Sequence, residues 1–95
     1  MLPTVLGPRD AAPVKADPAI AGKNVEGGCL LAPGGGDNAM ASLGLGMAVG
    51  DVSLSLGTSG VDAAISENPT YDLTGAVSGF ADCTGHYLPL ACTIN

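Results

Sequence analysis

The sequence predicts a small α/β fold: a short strand over 29–32, one helix over about 38–48, and β-hairpins over about 52–65 and 77–90. Three observations carry this prediction. The apolar run "CLLA" is stopped by Pro33 and a glycine run, as a short buried strand would be. Met40, Leu43 and Met47 recur at helical spacing, which lines up one apolar stripe. Val52, Leu54 and Leu56 alternate with Ser53 and Ser55, the period-two pattern of a strand.

Each element follows in chain order. Pro3, Pro8, Pro13 and Pro18 recur through residues 1–27 and block a long helix there. "ADPAIAGKN" has room for one helical turn, with Asp17 as its cap and Pro18 in its first position. Gly27-Gly28 marks a turn, and Gly34 to Gly36 form a tight loop before the helix. Ala39, Ser42 and Gly46 keep one helix face thin, so that a neighbouring element can approach closely. Gly44 and Gly46 each cost about 1 kcal/mol of helix propensity relative to alanine, and Gly50 is the expected C-terminal cap. Gly57-Thr58-Ser59-Gly60 is the turn of the first hairpin, and "ENPTYDLTG" is a loop. In the second hairpin Pro89 predicts a returning strand that is short or lies at an edge. No internal repeat is read along the chain, and its end at "CTIN" reads as if cut.

Composition bounds what the chain can do. It has 95 residues, enough for at most one small domain. Hydrophobic residues make up 46%, but there is one Phe, two Tyr and no Trp, while glycines number 15. Glycine adds backbone entropy to lose and no side chain to bury. A core built this way is marginal alone, which points to a piece of something larger. The net charge of -6 argues against a nucleic-acid surface and against an anionic membrane surface. It leaves phosphate ligands open, because backbone N–H groups and helix ends can hold them. Cys29, Cys83 and Cys92 form no disulfide framework and read as free cytosolic thiols, with Cys29 and Cys92 buried. No run of 18 apolar residues suits a membrane span, and the first residues lack a signal pattern.

Asp37 is the residue of most chemical interest. It either caps the helix or stands as a carboxylate beside an unhindered backbone, where it could take a proton from an attacking hydroxyl. Met40 occupies the position where a reciprocal capping box needs Glu or Gln. Asn38 could share hydrogen bonds with the same substrate. Thr58 and Ser59, between two glycines, either close a hairpin turn or offer hydroxyl and N–H groups to an anion. The lysine-bearing P-loop pattern is absent. His86 is expected at an exposed or core-edge position, and Cys83, His86 and Cys92 lack a fourth ligand for zinc. Asp51, Asp72 and Asp82 are read as turn and loop acids.

"GGGDNA" followed by "SLGTSG", with "GFADCTGHYLPLACTIN" at the end, resembles the FGGY family of carbohydrate kinases. The resemblance covers nearly the whole chain and is weak over residues 10–27. It implies an internal fragment of an actin-like ATPase (ribonuclease H-like) fold, with residues 1–50 ending the N-terminal sugar-binding domain and residues 51–95 starting the C-terminal ATP-binding domain. It implies that Asp37 is the general base and that Asn38 lines the sugar site. Gly57, Thr58, Ser59 and Gly60 match a loop near the transferring phosphate. The implied co-substrate is ATP with Mg2+, the implied location is cytoplasmic, and a homodimer of the full-length enzyme is compatible with it. The ending points to the branch that phosphorylates xylulose; ribulose, gluconate and glycerol are the other sugars or polyols to weigh. The family's first phosphate loop and adenosine site are missing, so the chain alone is expected to be inactive. A non-catalytic truncated gene product is the competing expectation.

Overall fold

The computed structural model describes residues 1–21 and 28–93. The chain divides into two compact units, Met1–Gly34 and Gly35–Asn95.

In the first unit the prolines keep most of the backbone irregular. A single helical turn, α1 (Pro18–Ala21), forms where expected. Asp17 caps it, with Oδ1 accepting the Ala19 N–H at 2.8 Å. The rest of that stretch, and Gly27 of the expected turn, lie outside the described residues. The strand predicted over 29–32 is absent: Leu30 makes one isolated antiparallel bridge with Lys15. Flanking bonds run from Ala12 N–H to the Leu31 carbonyl and from Ala16 N–H to the Cys29 carbonyl. Pro13 and Pro33 lack the donors that would lengthen this pairing. Leu30 is accordingly exposed rather than buried.

The second unit holds a helix, α2 (Asp37–Gly44), and four strands: β1 (Val52–Leu56), β2 (Gly60–Ala64), β3 (Val77–Ala81) and β4 (Tyr87–Cys92). The sheet order is β1-β2-β4-β3, and all neighbours are antiparallel. Both predicted hairpins are present, as β1–β2 and β3–β4.

The helix ends earlier than its apolar spacing predicts. Gly46 takes φ 68°. Its N–H bonds the Leu43 carbonyl, and the Met47 N–H bonds the Ser42 carbonyl. This pair of bonds closes a Schellman motif and stops the helix at Gly44. Gly46, not Gly50, therefore terminates it. Gly50 (φ 93°) lies instead in the turn before β1, where Asp51 Oδ2 accepts the Ala48 N–H at 2.8 Å. Asp51 is the turn acid it was read to be.

The thin face of α2 is the one that packs. Ala39 and Ser42 are buried, and the core is Ala39, Ala63, Ile65, Leu88 and Leu90, with Met47, Val61 and Cys83 packed against it. Met40 and Leu43, two members of the predicted stripe, remain about half exposed. Small side chains win this face because they let the helix lie close to the sheet.

Strand β4 corrects another expectation: despite Pro89 it lies inside the sheet, between β2 and β3. The β2–β4 ladder runs as far as Ala63↔Leu90 and resumes as the bridge Ser66↔Tyr87. The gap falls where Pro89 has no N–H to give. On the other side Pro89 stands opposite Gly79. A Cβ at Gly79 would lie 2.7 Å from the Thr70 carbonyl oxygen, so that loop passes too close for any side chain.

Two turns flank β3 with the same Asp-x-Thr-Gly pattern, Asp72-Leu73-Thr74-Gly75 and Asp82-Cys83-Thr84-Gly85. In both, the aspartate accepts the backbone N–H and the hydroxyl of the threonine two residues on. In both, the glycine takes positive φ. These turns are a short internal repeat that the sequence reading missed. Hydrogen bonds from the Thr74 hydroxyl, the Thr74 N–H and the Val77 N–H hold the Asp72 carboxyl below its ordinary pKa. For Asp82 partial burial is the largest single influence and pushes upward. The combined bonds from Thr84 and the N–H groups of His86 and Gly85 outweigh it, and the net shift is downward.

Candidate functional site

The site is built on the N-terminal turn of α2. Gly36 is the N-cap, with extended backbone (φ −67°, ψ 156°) and no side-chain cap. Its carbonyl accepts the Met40 N–H at 2.9 Å. Asp37 is thus the first helical residue rather than the cap. Its Oδ1 accepts the Asn38 N–H at 2.9 Å, and the residue is exposed. A carboxylate in the first turn also complements the positive end of the helix dipole.

The preceding glycines have different tasks. Gly34 (φ 76°) takes a backbone angle that disfavours side chains. Gly35 is crowded: a Cβ there would meet Cys83 Sγ at 2.9 Å and Met40 Sδ at 3.2 Å. Those two sulfurs touch each other at 3.5 Å.

Asp37 and Asn38 open on a cavity of about 140 Å³, whose walls also include Phe80 and Ala81 from β3 and Leu88 from β4. A second groove, of about 300 Å³, runs between α2 and the first hairpin. Asn38, Ser42, Ser53 and Ser55 give it a polar side, and Leu45, Leu54 and Val61 an apolar one. Asn38 lines both spaces. Phe80 was not singled out by the sequence reading. Its period-two placement opposite Leu88 is the signal that could have found it.

Gly57–Gly60 forms the β1–β2 turn, as predicted, but lines neither of these spaces. Two of its amides are engaged within the chain. The Gly57 N–H bonds the Ser59 carbonyl at 3.0 Å, and the Gly60 N–H bonds Thr93 Oγ1 at 2.8 Å. Thr58 is exposed, and Ser59 is half-buried.

The remaining candidates are structural. His86 is exposed in the β3–β4 turn, with Nδ1 2.9 Å from Thr84 Oγ1 and 4.0 Å from the Asp82 carboxylate. Cys29 is half-buried and Cys92 exposed, which corrects the expectation that both are buried. The described residues include no cluster of three or more His, Cys, Asp or Glu that could hold a metal ion. They also form no helix long and apolar enough to cross a membrane.

No family model matches the chain. Across its full length it is 47% identical to a xylulose kinase of Streptomyces coelicolor, of which it covers 19%. A xylulose kinase of Streptomyces rubiginosus is 54% identical over 68 residues, 72% of this chain and 14% of that protein. The crystal structure of xylulose kinase from Bifidobacterium adolescentis is 98% identical, with a TM-score of 0.91 over 98% of this chain. That match takes in 18% of the crystallised chain. The chain is homologous to xylulose kinases and spans 14–19% of the length of these curated relatives.

Proposed function

We propose that this chain, homologous to a segment of xylulose kinases, carries the proton acceptor of an ATP-dependent carbohydrate kinase. In the whole enzyme the γ-phosphate of ATP passes to the primary hydroxyl of D-xylulose, giving D-xylulose 5-phosphate. The observation that carries this reading is the exposed Asp37 carboxylate on the rim of a cavity that Asn38 and Phe80 also line. The similarity to xylulose kinases over the whole chain supports it.

Asp37 takes the hydroxyl proton as the oxygen attacks phosphorus, and Asn38 holds the sugar beside it. Thr58 and Ser59 face the phosphates. Of the loop's backbone donors, the Gly57 and Gly60 amides are bonded within the chain and hold the loop in shape. Mg2+ would arrive with ATP and neutralise its phosphate oxygens, held by those phosphates, by water and by one or two carboxylates. Phosphoryl transfer needs several elements placed at once, so the 95-residue chain alone is inactive. Residues up to about 50 serve the sugar side, those from 51 onward serve the nucleotide side, and the enzyme works in the cytoplasm.

The test is Asp37→Asn in the full-length kinase. Asn keeps an acceptor for the Asn38 N–H but cannot take the proton. Turnover should fall by about 100-fold or more, the range expected on losing a general base. Sugar binding, measured by calorimetry, should change little. Retained turnover would remove the assignment.

A further inference from the structure

We propose that Thr93 is a positioning residue for the Gly57–Gly60 phosphate loop; this rests on the reading of that loop given above. Continuing the β2–β4 register by one step brings Thr93 opposite Gly60. The Thr93 N–H donates to the Gly60 carbonyl at 2.8 Å, as a ladder bond should. The return bond departs from the ladder pattern. The Gly60 N–H donates to the Thr93 side-chain Oγ1 at 2.8 Å, where a regular rung would use the Thr93 carbonyl. The same hydroxyl lies 3.4 Å from the Gly60 carbonyl. One side chain therefore completes the last rung of the sheet.

This has two effects on the loop. It fixes the end of the turn at Gly60, while the Gly57 N–H to the Ser59 carbonyl fixes the other end. Thr58 and Ser59 are held between two tethered glycines. It also accounts for glycine at position 60. A Cβ there would lie 3.3 Å from Thr93 Oγ1, a tight approach that would have to shift the hydroxyl by a few tenths of an ångström. A loop that must meet a phosphate in one geometry gains from being held there before the ligand arrives.

The experiment uses the full-length kinase containing the segment, with KM for MgATP and for D-xylulose measured separately. Thr93→Val keeps the shape and removes the hydroxyl. It should raise KM for MgATP about fivefold, the effect expected on losing one hydrogen bond, and leave KM for the sugar within twofold. Thr93→Ser should restore the wild-type value. If Thr93→Val does not fold, Thr93→Ala against Thr93→Ser gives the same comparison. An unchanged KM for MgATP in the hydroxyl-free variant overturns the inference. So does a rise in both KM values together with a lower melting temperature, which marks a merely structural role. Thr58→Ala separates the two levels of argument. If it raises KM for MgATP and Thr93→Val does not, the Thr93 inference fails while the loop reading stands. If Thr58→Ala also has no effect, the loop reading fails and takes the inference with it.

Discussion

Leu88→Ala is the perturbation that most directly tests how the second unit is held together. Leu88 is 1% exposed and is the one large side chain that is fully buried among the described residues. It belongs to a core of five residues, two of which are alanines. Truncating a buried leucine costs about 2–5 kcal/mol, through lost transfer free energy and the cavity left behind. At about 0.05–0.15 kcal/mol per residue, a unit of the size of Gly35–Asn95 has roughly 3–9 kcal/mol of stability in total. At the middle of both ranges the substitution removes about half of it. Leu56→Ala is the matched control. Leu56 is 80% exposed on edge strand β1. Full burial of a leucine is worth about 1.5–3 kcal/mol, so the fifth that is buried accounts for about 0.3–0.6 kcal/mol. Urea unfolding of the purified chain, followed by far-UV circular dichroism, gives both values. A Leu88→Ala loss below about 1 kcal/mol, or a Leu56→Ala loss of equal size, would refute the account of the core.

Two further outcomes follow from the turns around the site. Gly35→Ala places a methyl 2.9 Å from Cys83 Sγ, and overpacking of this kind costs about 1–3 kcal/mol; adding Cys83→Ala should recover most of the loss in a thermal melt, and additive losses would show that the clash is not the cause. Asp72 and Asp82 have folded pKa values below their unfolded ones, so their stabilisation is full above the unfolded value of about 3.9 and is lost as pH falls through the folded values. The Asp72→Asn/Asp82→Asn chain should be less stable than wild type at neutral pH and should lose less on acidification below about pH 4. Parallel acid titrations of the two chains would contradict this.

Much of the second unit is legible in the sequence because periodicity is local. Alternation from Val52 to Leu56 and the turn at Gly57–Gly60 specify the first hairpin without outside help. The failures arise where a partner elsewhere in the chain decides. "CLLA" has strand composition, but Pro13 and Pro33 leave it a single bridge. Pro89 looks like an edge residue, yet β4 is interior because the ladder tolerates one missing donor. The apolar spacing runs on to Met47, but the positive φ of Gly46 ends the helix first. Asp37 and Asn38 are visible as a motif, whereas local sequence cannot decide whether Gly36 or Asp37 takes the cap. Thr93 was out of reach for a different reason: its partner is 33 residues away.

The repeated Asp-x-Thr-Gly turns show how a structural motif reaches the site. They stand at the two ends of β3, an outer strand that pairs with β4 alone among the strands. Asp72 Oδ2 accepts the N–H of Val77, the first residue of β3, at 2.8 Å. Just past its last residue, the Asp82 N–H bonds the His86 carbonyl at 3.0 Å, while Asp82 Oδ1 accepts the His86 N–H at 2.7 Å. An edge strand lacks a second neighbour to hold it, so these end anchors supply what a flanking strand would. Strand β3 in turn carries Phe80 and Ala81 into the wall of the Asp37 cavity. The two aspartates thereby brace one wall of the cavity that Asp37 also lines. Loosening them should widen that pocket before it unfolds the helix that bears the carboxylate.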